Sequence, residues 1–77
     1  MNKLVLLELT DEHVVYSFQP EGKGTPGQVK FIFGEEDARL IEKAEDNNPW
    51  YSNHALVKIE AYARDRYFPP KATQAWY

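Results

Sequence analysis

Cysteine is missing from all 77 residues, which excludes a disulfide framework, a thiolate-held zinc or iron–sulfur centre and a cysteine nucleophile. A small domain without such staples relies on packing or on self-association. Long apolar runs are missing too. The stretch Leu4 to Leu7 is preceded by Lys3 and broken by Glu8 and Asp11, so neither a secretory core nor a membrane span can be drawn. The expectation is a soluble cytoplasmic protein with no membrane partner. Histidine is scarce, with His13 and His54 alone, and neither stands in an HExxH spacing, so no metal and no cofactor are expected. Basic residues are in the minority, 9 against 12 acidic, for a net charge of −3. That balance opposes sequence-independent binding to nucleic acid, which needs a cationic face, although an acidic average can conceal a basic patch.

Aromatic residues are plentiful, with five Tyr, four Phe and two Trp, and supply the apolar area that disordered segments lack. A chain of this length buries only about 60% of its unfolded surface, so residues 1–77 are expected to form one small domain with roughly 3–5 kcal/mol of net stability.

Residues 1–33 alternate with the period of strands, and residues 35–67 carry Ala, Glu, Lys, Leu and Arg at helical spacing. Strands are expected at 3–9, 14–19 and 28–33. The first is apolar on both faces and reads as central, and the second places Val14, Tyr16 and Phe18 on one side. Between the second and third, Pro20 to Gly27 holds two prolines and three glycines and must be a connection. Glu35, Glu36 and Asp37 suit a helix N-terminus, and a first helix over 35–46 is expected before Asn47, Asn48 and Pro49 stop it. A second helix over 52–67 is expected, capped by Ser52 or Asn53. Val57, Ile59 and Ala61 also alternate as in a strand, but three alanines and the cap favour the helix. Pro69 and Pro70 end it, and the tail to Tyr77 either adds a fourth strand or stays an ordered extension. The expected fold is α+β, an antiparallel sheet of three strands, or four with the tail, with two helices packed on one face.

Each candidate for chemistry has a plainer account beside it. Gly22, Lys23, Gly24 and Thr25 evoke a phosphate cradle but lack the P-loop spacing and are followed by a strand, so a hairpin connection suffices. His13 sits in an acidic turn beside Asp11 and Glu12, where a surface role accounts for it. Ser17 and Ser52 are not set in a nucleophile elbow. Neighbouring carboxylates such as Glu35 and Glu36 point in different directions on a helix. No catalytic residue is therefore assigned. Tyr16, with Phe18, Phe31 and Phe33, could stack single-stranded bases beside Lys30. However, residues 35–46 carry six acids against two bases, and a sheet under helices needs an aromatic core face anyway. Pro49, Trp50 and Tyr51, with Trp76 and Tyr77 at the end, combine large area with polar handles, as partner-covered surfaces do.

Three short motifs carry a resemblance: Tyr16, Phe18, Pro20, Glu21 and Gly22 in the hairpin loop, Asn53 to Leu56 at the helix start, and Ala75, Trp76 and Tyr77 at the end. With them the chain resembles a group of short uncharacterised bacterial proteins. The resemblance implies a small cytoplasmic bacterial protein and brings no activity, cofactor or functional residue.

Three expectations of function follow, in order. The first is a non-enzymatic protein-interaction module or homodimer acting through Trp50, Tyr51, His54, Trp76 and Tyr77. The second is single-stranded nucleic-acid binding through Tyr16 and Lys30. The third is an enzyme with His54 and a carboxylate in a pocket.

Overall fold

The computed structural model describes residues 1–75; Trp76 and Tyr77 lie outside the described residues. Five strands and one helix follow in the order β1 (Asn2–Leu9), β2 (His13–Pro20), β3 (Gly27–Ile32), β4 (Asp37–Glu42), α1 (Pro49–Asp65) and β5 (Lys71–Gln74). The strands form one antiparallel sheet in the order β4-β3-β2-β1-β5. The chain is α+β, but the expected three or four strands under two helices are overturned by this count of five strands and one helix.

The correction falls on residues 35–46. Instead of starting a helix, Glu35 and Glu36 close a turn in which the Glu36 amide donates to the Phe33 carbonyl at 3.3 Å, with Glu36 at φ 51. The chain then reverses, so that Ala38 stands opposite Phe31 and Leu40 opposite Val29. Local composition favours a helix here, but a helix at this point would leave the whole outer edge of β3 unpaired. Pairing gives those backbone groups partners. Arg39 holds the acidic turn together, its guanidinium reaching Asp37 and Glu35 at 2.7 Å each.

Within the sheet, β2 and not β1 is the middle strand. Val14, Tyr16 and Phe18 are buried on the helix side, and Val15 and Ser17 are buried on the other by their neighbours. β1 lies nearer an edge and bulges at Leu7, which shifts the register between Leu6 and Glu8. Its apolar second face is consequently left in the open, with Leu7 49% exposed.

Helix α1 begins earlier than its sequence suggests. Asn48 is the cap, its side chain accepting from the Trp50 amide at 3.0 Å, and Pro49 opens the first turn, where a missing N–H costs nothing. Ser52 turns back instead to donate to the Pro49 carbonyl. Arg66 ends the helix in the left-handed conformation. Ala55, Ile59 and Tyr62 face the sheet and pack on Leu4, Val14, Tyr16, Phe18, Val29 and Phe31. Among the described residues, no helix or second sheet covers the other face of the sheet. After the helix, Pro69 and Pro70 turn the chain so that β5 pairs along β1, Lys71 opposite Val5 and Thr73 opposite Lys3.

Candidate functional site

The first turns of α1 carry three of the five expected contact residues, and the fold sends them in different directions. Trp50 is 55% exposed, and its ring stands 4.9 Å from that of His54. Val57, 66% exposed, continues the line, and Trp50, Asn53, His54 and Val57 enclose a shallow recess of about 200 Å³. Positions 50, 54 and 57 fall on one stripe at helical spacing, on the side away from Ala55, Ile59 and Tyr62. Val57 escaped the sequence reading, which considered it only in the strand-like alternation with Ile59 and Ala61; its signal was the three- and seven-residue offsets from His54 and Trp50.

Tyr51 is turned toward the end of the middle strand, β2. Its hydroxyl donates to Glu21 Oε2 at 3.0 Å, which pushes the phenol pKa up from its ordinary value. The same carboxylate accepts from the Met1 ammonium at 2.6 Å. That hydrogen bond, ahead of the one from Tyr51, holds the Glu21 carboxyl below its usual range. The Tyr51 carbonyl accepts from Asn2 Nδ2 at 2.9 Å, and the His54 carbonyl from Gln74 Nε2 at 2.8 Å. These bonds fasten the start of the helix to β1 and β5. Trp76 and Tyr77, the other two expected contact residues, lie outside the described residues.

Tyr16 and Lys30 are not brought together. Tyr16 pairs across the strands with Val29, whereas Lys30 pairs with Val15, so the two side chains emerge on opposite faces of the sheet. Tyr16 is 1% exposed, its ring 5.4 Å from that of Tyr62, and burial, ahead of the neighbouring Tyr62 and Tyr67, drives its pKa well up. Phe18 and Phe31 are likewise spent on the core.

The glycine loop between β2 and β3 is filled from within. The Thr25 amide and hydroxyl both point at Glu45 Oε1, at 3.4 Å each, and the Glu45 amide donates to the Thr25 carbonyl at 2.8 Å. The Thr25 amide and hydroxyl are thus turned to a carboxylate of this chain. The recess beside His54 has no carboxylate in its lining. A histidine–carboxylate pair among the described residues is His13 with Glu8, on the face of the sheet away from the helix. Among the described residues, no group of three or more His, Asp or Glu could hold a metal ion, and no helix is long and apolar enough to cross a membrane.

A more enclosed apolar recess, about 240 Å³, lies between β4 and the helix start and is floored by Phe18, Leu40, Ala44 and Pro49. Comparison with protein-family models, with curated proteins and with solved structures finds no match to the chain.

Proposed function

We propose that the protein is a non-enzymatic interaction module that associates with a protein surface, in the first instance a second copy of itself, through the ridge formed by Trp50, His54 and Val57. The observation that carries this reading is the exposure of Trp50 and Val57 on the side of α1 turned away from its own core. Trp50 at 55% and Val57 at 66% exposure each forgo part of the roughly 1.5–3 kcal/mol that full burial of a large apolar side chain is worth. A second copy would recover it, and a helix stripe packing on its equivalent is self-complementary across a two-fold axis. A cytoplasmic setting is part of the reading and is supported by the lack of cysteine; a bacterial origin rests on the resemblance alone.

The test is light scattering over a concentration series on the parent protein and on Trp50→Ala and Val57→Glu. Both substitutions fall at exposed positions, so the circular dichroism spectra should stay native. A dimer that either variant dissociates supports the reading, and a monomer at every concentration removes self-association.

A further inference from the structure

The face of the sheet away from the helix holds a groove of about 620 Å³ beside strand β5, and the residues around it are unlike the rest of this acidic chain. Lys3, Val5, Ser17, Gln19, Lys71 and Thr73 make up most of its wall, and no carboxylate lines it. The register explains the grouping. Lys71 stands opposite Val5 and Val5 opposite Ser17 in one row; Thr73 stands opposite Lys3 and Lys3 opposite Gln19 in the next. Two ammonium groups thus flank a strip holding Val5, 36% exposed, and Ser17. Among the described residues neither lysine forms an ion pair, although the chain carries 12 acidic side chains.

The second observation is the edge itself. Among the described residues β5 ends the strand order and is bonded only to β1, so its outer row of backbone N–H and C=O groups is a template for one more strand. A strand added there would direct alternate side chains to the groove face, level with Lys71 and Thr73. We propose that β5 accepts an extended acidic peptide segment of another protein, with Asp or Glu at every second position, one level with Lys71 and the next level with Thr73, behind which Lys3 stands on β1. Backbone pairing supplies the binding, and the lysines select the charge. This surface lies on the face opposite the Trp50 ridge and does not depend on it.

Lysine on an edge strand is also a device that discourages pairing, and the two roles give opposite results. The probe is a fluorescein-labelled hexapeptide alternating glutamate and threonine, titrated with the whole protein by anisotropy. A matched peptide with lysine for glutamate and a labelled oligothymidylate of similar charge serve as comparisons. The expected result is saturable binding of the acidic peptide, with a Kd on the order of 0.1 mM, as befits a small transient interface. It should weaken about tenfold in the double variant Lys3→Glu, Lys71→Glu, and amide exchange should slow at residues 71–74 when the peptide is present. Both lysines are exposed, so the variant should fold, with circular dichroism as the check. Equal binding of the lysine peptide, stronger binding of the oligothymidylate, undiminished binding in the double variant or unchanged exchange at 71–74 would each overturn the proposal.

Discussion

The Tyr16 hydroxyl donates a 2.6 Å hydrogen bond to the carbonyl of Pro69, tying the middle strand of the sheet to the turn that follows the helix. The next link is close by, where the Leu6 amide donates to the Pro70 carbonyl at 2.9 Å. Together they set the direction in which residues 71–74 leave the helix and meet β1. One buried phenol therefore joins the hydrophobic core to the placement of the edge strand.

Tyr16→Phe should remove that bond and leave the Pro69 carbonyl without its partner, at a cost of about 1–2 kcal/mol in urea unfolding. Amide exchange at residues 71–74 should quicken more than in the β2–β3 ladder. A uniform loss across the sheet would show that the bond adds stability without directing β5.

Alkaline pH should unfold the protein through the same group. Burial raises the Tyr16 and Tyr62 phenols in the folded state, whereas unfolded tyrosine ionises near its ordinary value of about 10. Their contribution is complete below pH about 10 and is lost as the pH rises above it toward the folded values. Tyrosinate absorbance should therefore rise together with the loss of helix signal, and Tyr16→Phe should flatten the alkaline limb. For Glu21, held below its usual range by the Met1 ammonium and then Tyr51, the sign is reversed. Its contribution is present above the ordinary carboxylate value and fades as the pH falls through the folded one, so Glu21→Gln should flatten the acid limb.

Two glycines should respond oppositely to alanine. A β-carbon at Gly27 would lie 2.6 Å from the Ala44 nitrogen and from the Glu42 oxygen, both backbone, and as close to the Phe18 ring. Neither backbone atom can swing aside, so Gly27→Ala should cost about 3 kcal/mol. Gly34 has open space where the methyl would go, and Gly34→Ala should stay within about 0.5 kcal/mol. Thermal midpoints of the two variants give the comparison.

The helix cap can be assigned by a pair of substitutions. Asn48→Ala removes the acceptor for the Trp50 amide and should cost about 1 kcal/mol, while Ser52→Ala should cost less, because its hydroxyl only donates back to a carbonyl of the first turn. The reverse order in denaturant midpoints would restore Ser52 as the cap.

Glu36→Gly tests the turn that replaces the expected first helix. With Glu36 at φ 51, glycine relieves roughly 1 kcal/mol of left-handed strain and should raise the melting temperature. Glycine inside a helix would lower it by a similar amount.

How much was legible differs from element to element. Val14, Tyr16 and Phe18 announce a strand with one buried face, and Val29 and Phe31 supply its partner, because period-two alternation is a local property of the residues. The Asn48 cap was missed since Asn48 and Pro49 read equally well as the stop of an earlier helix. The site was less legible than the fold. Trp50 and His54 were singled out by residue type, yet residue type does not separate them from Tyr51, which turns to Glu21, and Val57 joins them only through its helical offsets once the helix is known to start at Pro49. The Lys3 and Lys71 pair could not be seen at all, being 68 positions apart.

By itself, the sequence determined a cysteine-free α+β chain with aromatic strands leading, because composition and alternation act within a few residues. Only the tertiary structure decided that residues 37–42 are a strand, that β2 holds the centre and that Lys71 comes to the same face as Lys3, diagonal to it on the neighbouring strand. Each of those outcomes depends on which backbone edge lies alongside. A hydrogen-bonded neighbour across the sheet can outweigh a helix preference worth only tenths of a kcal/mol per residue.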